Sequence, residues 1–208
     1  MLQKLDHPLI QQKLMQLRDK SSDHMTYRAR LMEIGALMAY EAFKELPSKA
    51  VSVETPLETM ETRALAATPV VVPILRAALG LTDGMMLVCP EAHLGHIGLA
   101  RNSETLKPEE YLVKLPKNQG QPFYLVDPML ATGNSAVHAV EVLERHGVEQ
   151  KNICFVALLA APEGIERLHG ACPHVKIYTC AVDRQLSDKG YILPGLGDAG
   201  DRLFGTDH

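Results

Sequence analysis

The chain has 208 residues, with 21 Lys and Arg against 25 Asp and Glu, so its formal net charge at pH 7 is -4. Hydrophobic residues make up 46% of the sequence, which is ordinary for a globular protein with its own core. The weak negative charge gives no support for holding nucleic acid or a membrane surface by bulk electrostatics. No signal-peptide pattern or long apolar span occurs, so we expect a cytoplasmic protein without a membrane or nucleic-acid partner.

The first part of the chain is predicted to be helical. Apolar residues recur on one stripe from Pro8 to about Lys20, and a second stripe runs from about Asp23 to Leu46 and ends before Pro47. The methionines of the second stripe are more typical of a core or a subunit contact than of a ligand-binding surface.

From Val51 onward the pattern changes to alternating strands and helices. Apolar runs favour strands at residues 70–75, 92–100, 111–115, 123–126, 152–161 and 175–182. Helical spacing lies between several of them, as in residues 77–87 and 162–169. This alternation is typical of a parallel α/β sheet that binds ligands at the carboxyl ends of its strands. The polar residues 102–110 interrupt two strands and are predicted to form a mobile hairpin loop.

The four cysteines are scattered along the chain. Cys89, Cys154, Cys172 and Cys180 form no C-x-x-C pair, and Cys154 and Cys180 fall within predicted strands. We therefore expect buried free thiols and not a disulfide framework.

Residues 123–140 have the pattern of an anion-binding loop. A short apolar strand ends at Asp127, small residues follow from Ala131 to Ser135, and helical spacing begins after them. A loop that leads into a helix in this way presents unpaired backbone N–H groups and the positive end of the helix dipole. Thr132 and Ser135 add hydroxyl donors.

Asp127 indicates what kind of anion the loop binds. A carboxylate beside a phosphate repels it unless the acid faces another part of the ligand. The vicinal hydroxyl groups of a ribose are donors that a carboxylate accepts. The pattern therefore favours a ribose 5-phosphate, with the sugar over Asp127 and the phosphate in the loop. An ordinary strand-to-helix connection, with Asp127 as a satisfied polar residue, is the alternative at this point.

Other motif matches carry less weight. The loop lacks the Gly-Lys-Ser/Thr ending of a nucleoside-triphosphate P-loop. The run "GLGDAG", residues 195–200, matches G-x-G-x-x-G, but the eight residues after it are too few for a dinucleotide-binding unit. His93 and His96 are predicted on opposite faces of one strand, which argues against a metal site. Glu109 and Glu110 lie in a charge run and are expected to be solvated.

Several motifs resemble those of type I phosphoribosyltransferases, in the expected order along nearly the whole chain. The run "VDPMLATGNS" is similar to the 5-phosphoribosyl-diphosphate signature, although Pro128 stands where most members have a second acid. It resembles the form found in uracil phosphoribosyltransferases in particular, as do "VVPILRAALG", "RNSET", "AAPEG" and "GYILPGLGDAGDRLFGT". Two positions depart from the family pattern, because Asn134 replaces a second glycine and no tyrosine precedes Arg101.

The resemblance implies a type I phosphoribosyltransferase fold. A mainly parallel central sheet is expected to be flanked by helices, with a small hood built from the C-terminal segment and the N-terminal helices. The chain is then a single domain, with N-terminal helices in residues 1–47, an α/β core in residues 68–183 and a uracil-binding segment in residues 184–208.

The resemblance also implies which residues bind 5-phosphoribosyl diphosphate. Arg76 matches an arginine that binds the diphosphate, and Arg101 matches one that closes over it. Guanidinium groups suit this role because they stay charged and bind oxyanions bidentately. The residues that match the ribose 5-phosphate site are Asp127, Pro128, Met129, Leu130, Ala131, Thr132, Gly133, Asn134 and Ser135.

The C-terminal run matches the uracil site of the family. Ile192, Gly197, Asp198 and Ala199 align with positions that bind uracil, largely through backbone groups. Asp198 also matches an acid that faces the diphosphate and its Mg²⁺ through water, and it joins Arg101 and Asp127 as the implied catalytic residues. A base that is bound by main-chain groups needs a backbone that approaches it closely, and this explains why the run is rich in glycine. The implied reaction converts uracil and 5-phosphoribosyl diphosphate to UMP and diphosphate, with Mg²⁺ as cofactor.

Two other functions remain open on the sequence. One is a type I transferase for another base, against which the C-terminal run argues. The other is a non-enzymatic regulator that binds nucleotide and RNA, for which a basic face is expected and no Lys/Arg-rich cluster occurs. Family members are oligomers, so a homodimer or homotetramer is expected. Some members are activated by GTP, which makes GTP a candidate effector here.

Overall fold

The computed structural model of the chain describes residues 1–101 and 108–206, with only the backbone at Arg101 and Pro108. The mobile loop predicted over residues 102–110 therefore falls mostly outside the described residues. Its last three residues are described, and they form part of a strand. None of the helices in the described part is long and apolar enough to cross a lipid bilayer.

The described residues contain helices and strands in alternation. Six α-helices occur in them: α1 Pro8–Arg18, α2 His24–Ala42, α3 Leu79–Val88, α4 Asn134–Arg145, α5 Pro162–Ala171 and α6 Ala199–Phe204. Short 3-10 helices cover Phe43–Glu45 and Gln150–Asn152. The strands are β1 Leu2–Lys4, β2 Ser48–Glu54, β3 Thr59–Leu65, β4 Val70–Leu75, β5 His93–Leu94, β6 His96–Arg101, β7 Pro108–Lys114, β8 Phe123–Val126, β9 Met129–Leu130, β10 Ile153–Ala160, β11 Lys176–Val182, β12 Gln185–Leu186 and β13 Ile192–Leu193.

A nine-stranded sheet organises the fold. Its order is β1-β11-β10-β8-β4-β6-β7, with β5 beside β4 and β9 beside β10. Every pair in it is parallel except β6 with β7. The predicted α/β class with a mainly parallel sheet is confirmed, and the strands predicted at residues 70–75 and 123–126 have the predicted ends.

Both faces of the central strands are buried, which explains their unbroken apolar sequences. Val71 and Tyr124 belong to the core that packs against α1, α2 and α3. Their neighbours Val70 and Phe123 belong to the core against α4 and α5. Burying each large apolar side chain stabilises the fold by about 1.5–3 kcal/mol. The four cysteines are free thiols, as predicted, and only Cys154 is partly exposed.

Three parts of the fold were not predicted. Strand β1 is too short to show periodicity, and it adds a parallel strand beside β11 at the sheet edge. Strands β2 and β3 form a separate antiparallel hairpin whose residues are almost all exposed, so they carry no apolar face to detect. The C-terminal segment contains the β12–β13 hairpin and the short helix α6.

The structure bears on two predictions about isolated side chains. Glu110 is exposed, as predicted, and its carboxylate also pairs with Arg145 and lies 2.7 Å from Nε2 of His138. The hydrogen bonds from Arg145 and His138 hold the pKa of Glu110 below its usual value, against the opposing effect of burial. His93 and His96 lie in two different strands, β5 and β6, and not on one strand as predicted.

Candidate active site

Two neighbouring strands bring a basic and an acidic residue to the same edge of the sheet. Strands β4 and β8 are parallel, with Pro73 opposite Val126. Arg76 follows β4 directly, and Asp127 follows β8 directly. Parallel α/β sheets bind ligands at the carboxyl ends of their strands, so this edge is the candidate site.

The loop between Asp127 and α4 presents a set of unpaired backbone donors. No described residue accepts a hydrogen bond from four of its N–H groups, those of Ala131, Thr132, Gly133 and Ser135. Gly133, the N-cap of α4, has a φ of 80°, a left-handed conformation that glycine adopts at little cost. The donors and the positive end of the 12-residue helix form a site for an anion. The predicted strand, loop and helix are therefore confirmed as structure.

Helix α5 packs against this loop and fixes its backbone. A Cβ at Gly164 would lie 2.6 Å from the carbonyl oxygen of Leu130, and one at Gly133 would lie 2.9 Å from the carbonyl oxygen of Gly164. Glycine is therefore required on both sides of the contact. Pro128 and Leu130 are buried, so these two members of the predicted site contribute packing and backbone, and their side chains do not face a ligand.

Asp127 is a partly buried carboxylate with one hydrogen-bond donor among the described residues. Its Oδ1 accepts a hydrogen bond from the backbone N–H of Met129 at 3.1 Å. Burial raises the pKa of the Asp127 carboxyl to about 7, although this hydrogen bond acts in the opposite direction. The carboxylate therefore retains acceptor positions for the hydroxyl groups of a ligand.

Arg76 is exposed at the site and lies over an aromatic ring. Its guanidinium carbon is 5.2 Å from the centre of the Phe204 ring, which is a cation–π contact. Phe204 is the last residue of α6, so the C-terminal segment supports the basic side chain. The peptide bond between Leu75 and Arg76 is cis.

The C-terminal segment folds into a tight turn after a two-stranded hairpin. Leu186 of β12 pairs with Ile192 of β13, and the Leu193–Pro194 peptide bond is cis. Gly195 has a φ of 61°, and a Cβ at this position would overlap the carbonyl oxygen of Ile192. Only glycine fits where the chain turns back this closely.

The peptide groups that follow this turn are available to a ligand. No described residue pairs with the N–H and C=O of Gly197 or with the N–H of Ala199. Asp198 lies between them and caps α6, since its Oδ1 accepts a hydrogen bond from the backbone N–H of Asp201 at 3.0 Å. Two donors and an acceptor close together can read the edge of a flat polar ligand.

The three parts of the candidate site lie against one another. A Cβ at Gly190 would lie 3.7 Å from Cγ2 of Thr132, which brings the C-terminal hairpin to the anion-binding loop. A Cβ at Gly200 would lie 3.9 Å from Cβ of Ala77, which brings α6 to the turn after β4. The predicted residues of these three segments are thus brought together, while the side chain of Arg101, at the end of β6, lies outside the described part.

Two supporting residues were not singled out from the sequence. Gly164 braces the anion-binding loop, and Phe204 lies under Arg76. Both lie within sequence motifs, Gly164 in "AAPEG" and Phe204 in the C-terminal run. The motifs indicate that these positions are important, but only the packing shows what each residue contacts.

The sheet, the anion-binding loop and the flanking helices together form the fold of type I phosphoribosyltransferases. A hypoxanthine-guanine phosphoribosyltransferase from Bacillus anthracis superposes with a TM-score of 0.51 over 77% of this chain and 80% of that one, and at 12% identity it shows the fold alone. A solved protein from Aquifex aeolicus is much more similar, with a TM-score of 0.93, 37% identity and coverage of 100% and 99% of the two chains.

The sequence comparisons narrow this class to one family. The family model described as uracil phosphoribosyltransferase matches residues 4–206. A uracil phosphoribosyltransferase from Rhodospirillum centenum is 53% identical over 203 residues, covering 97% of this chain and 94% of the relative. Another from Limosilactobacillus fermentum is 52% identical over 204 residues, covering 97% of each. The chain belongs to the uracil phosphoribosyltransferase family, which confirms the resemblance drawn from its motifs.

Proposed function

We propose that this protein transfers the phosphoribosyl group of 5-phosphoribosyl diphosphate to N1 of uracil, giving UMP and diphosphate in pyrimidine salvage. One observation carries the proposal: the unpaired N–H groups of the anion-binding loop begin at Ala131, four residues after the Asp127 carboxylate, which has free acceptor positions. These two features suit a ribose 5-phosphate, and the family to which the chain belongs indicates that the base is uracil.

The loop and the two arginines are the proposed site of 5-phosphoribosyl diphosphate. The 5-phosphate accepts hydrogen bonds from the backbone of residues 131–135, with the exposed Thr132 and Asn134 and the partly exposed Ser135 adding side-chain donors. Asp127 accepts the ribose hydroxyl groups. Arg76, exposed at the end of β4, binds the diphosphate together with Arg101.

Uracil is proposed to lie against the C-terminal segment. The N–H and C=O of Gly197 and the N–H of Ala199 provide a donor, an acceptor and a second donor for its polar edge. Ile192, which is 3% exposed, is proposed to bind the base beside them with its backbone. Because Gly190 and Gly200 of the same segment lie near Thr132 and Ala77, the base is held next to the sugar and the diphosphate.

The acidic residues fit a magnesium ion that is carried mainly by the substrate. In the described residues no three His, Cys, Asp or Glu side chains form a cluster that could hold a metal ion. Mg²⁺ commonly binds through one or two carboxylates plus substrate phosphates, and Asp198 is the carboxylate proposed to face it through water. When bound, the ion neutralises charge on the leaving diphosphate.

Catalysis by the chain itself is then positioning plus electrostatics. Asp127 and the loop hold the ribose and its phosphate, which sets C1 of the sugar in front of uracil N1. Arg76 and Arg101 stabilise the negative charge that develops on the diphosphate as its bond to C1 breaks. Asp127 also offers a carboxylate near the positive charge that develops on the sugar.

The hairpin of β2 and β3 supports the expected homo-oligomer. It forms a sheet of its own, and almost every residue of both strands is exposed. A two-stranded hairpin alone is marginally stable in water, so we propose that this one packs against a second copy of the chain. Sedimentation should show a dimer or tetramer, and a monomer at micromolar concentration contradicts the proposal. GTP stays a candidate effector, to be tested by measuring the rate with and without it.

The test of the proposed function is a product assay. The protein is incubated with labelled uracil, 5-phosphoribosyl diphosphate and Mg²⁺, and UMP and diphosphate are measured together in a one-to-one ratio. Parallel reactions contain hypoxanthine or guanine in place of uracil, and one contains a chelator. Equal rates with a purine base, or no UMP from protein that is folded and pure, contradict the proposal.

A further inference from the structure

We propose that Arg18 and Asp183 are positioning residues for uracil. They hold the turn at Gly195, which immediately precedes the peptide groups assigned to the base. The inference rests on the proposed assignment of uracil to Ile192 and residues 197–199. Neither Arg18 nor Asp183 belongs to that set, so both would act through the backbone of the turn.

The three residues form a closed ring of hydrogen bonds. Arg18 binds Asp183 bidentately, with Nη2 2.6 Å from Oδ1 and Nη1 2.7 Å from Oδ2. The same Nη1 donates to the carbonyl oxygen of Gly195 at 2.8 Å. The N–H of Gly195 donates to Oδ2 of Asp183 at 2.9 Å. Both peptide groups of Gly195 are therefore bound by one charged pair, and charge-assisted hydrogen bonds of this kind are roughly twice as strong as neutral ones.

The ring is anchored to rigid parts of the fold. Asp183 follows β11, and its backbone N–H donates to the carbonyl oxygen of Ala160 in β10 at 2.8 Å. Arg18 is the last residue of α1. The side chain of Asp183 is only 6% exposed, and its burial alone would raise its pKa. The hydrogen bonds from Arg18 and Gly195 outweigh burial and hold that pKa below its usual value, so the pair stays ionised.

A second arginine extends the same connection along the chain. Arg202 donates to the carbonyl oxygen of Leu196 at 2.9 Å and to that of Asp19 at 2.6 Å, and it also binds the carbonyl oxygen of Leu17. The carbonyl groups of two successive residues, 195 and 196, are thus tied to the end of α1. The next residue is Gly197, whose own peptide groups are proposed to read uracil.

The geometry of Gly195 couples these contacts to the position of the proposed uracil-binding groups. Its left-handed conformation places it against the carbonyl oxygen of Ile192, so the turn links Ile192 on one side to Gly197 on the other. If the Gly195 peptide rotates, both proposed base contacts move with it. A displacement of 1 Å at a binding group can cost on the order of a hundredfold in rate. The anion-binding loop takes no part in the ring, so binding at the phosphate site should be unchanged.

The test compares substrate dependence in two variants of the intact protein. Arg18→Lys keeps the charge but loses the bidentate geometry. The double variant Arg18→Met/Asp183→Asn removes both charges and leaves no unpaired buried ion. In both, we expect KM for uracil to rise about tenfold or more while KM for 5-phosphoribosyl diphosphate stays within about twofold. The smaller rise should be found in Arg18→Lys, since the lysine retains one hydrogen bond.

A matched control lies on the same helix. Lys13 of α1 pairs with Glu33 of α2 at 2.5 Å and forms no hydrogen bond with the C-terminal segment as far as residue 206, where its described part ends. Lys13→Met/Glu33→Gln should therefore leave KM for uracil unchanged. Thermal unfolding of every variant checks that the fold is intact. The inference is overturned if KM for both substrates rises equally, if folded Arg18 variants keep the normal KM for uracil, or if the control pair gives the same effect.

One further measurement tests the proposed uracil site separately from the positioning role of Arg18 and Asp183. Amide hydrogen exchange of residues 192–200 is followed in the wild-type protein with and without UMP. Slower exchange with UMP supports the assignment of the base site. No slowing rejects that assignment and the inference with it. Slower exchange combined with unchanged uracil KM in the Arg18 variants rejects the positioning role alone.

Discussion

Gly164 at the start of α5 lies against the carbonyl oxygen of Leu130, and a Cβ on Gly164 would come within 2.6 Å of that oxygen. The same carbonyl accepts a hydrogen bond from the backbone N–H of Ala161 at 2.9 Å. Neither backbone can move away without breaking this bond. The helix and the anion-binding loop are therefore locked together at a point where even one methyl group does not fit.

Gly164→Ala should weaken the binding of 5-phosphoribosyl diphosphate by displacing the loop. We expect its KM to rise at least several-fold and the free energy of unfolding to fall by about 1–3 kcal/mol from overpacking. Gly170 lies in the same helix with no heavy atom near its virtual Cβ, so Gly170→Ala is the matched control. The control should gain about 0.5–1 kcal/mol of stability and keep normal kinetics. Normal kinetics in Gly164→Ala would show that the loop does not depend on this contact.

Asp127→Asn should lower activity with the fold intact. The amide replaces a charged group that is proposed to accept two ribose hydroxyl groups, and each such bond is worth about 1.5–3 kcal/mol. The rate at low substrate concentration should fall by roughly a hundredfold or more, measured as kcat/KM for 5-phosphoribosyl diphosphate. Asp6→Asn, at an exposed position, serves as the control. A near-normal rate in Asp127→Asn shows that the carboxylate faces elsewhere.

The same substitution should change how stability depends on pH. Burial raises the pKa of Asp127 from 3.8 to about 7 in the folded protein, so between these values the folded state binds a proton that the unfolded chain has lost. Stability due to this group is therefore full below pH 4 and is lost as pH rises toward 7. The Asp127→Asn variant does not undergo this loss of stability, because its amide does not titrate. Its free energy of unfolding, relative to wild type, should rise by on the order of 2–4 kcal/mol between pH 4 and pH 8. Urea unfolding at several pH values measures this, and a pH-independent difference contradicts it.

The sequence predicts those parts of the fold that are defined by local patterns. Strand β8, Asp127 and the loop into α4 follow from an apolar run, an acid, small residues and helical spacing, and all occur within one short stretch. Gly195 could be suspected of a special conformation because glycines cluster around it. Its left-handed φ and its contact with Ile192 then appear in the structure.

Contacts between distant segments are not predictable in this way. Arg18 and Asp183 are 165 residues apart, and nothing in the helical stripe of α1 indicates that its last arginine binds a carboxylate after β11. Strand β1 is likewise invisible, because three residues carry no period and their pairing depends on β11. The contact of Arg76 with Phe204 has the same origin. Such long-range pairs depend on how the sheet orders its strands, and residue patterns alone do not fix that order.

The choice of base follows from what the peptide groups of the C-terminal segment offer. Uracil presents an acceptor, a donor and an acceptor along O2, N3–H and O4. In the proposed uracil site, the N–H groups of Gly197 and Ala199 and the carbonyl oxygen of Gly197, together with the backbone of Ile192, are complementary to that edge. Cytosine reverses two of the three positions, because its N3 is an acceptor and its C4 amino group is a donor.

We therefore predict turnover with uracil and 5-fluorouracil and essentially none with cytosine. Two protein groups would face like partners on cytosine, and each mismatch costs about 1–3 kcal/mol once the bound base excludes water from them. Sites built on polar complementarity can reject such an analogue by roughly 10⁴-fold. Fluorine at C5 leaves the polar edge unchanged, so 5-fluorouracil is the matched control for altered size without altered hydrogen bonding. The rate of diphosphate release with each base measures the choice. Cytosine consumed at a tenth of the uracil rate means that main-chain groups do not select the base.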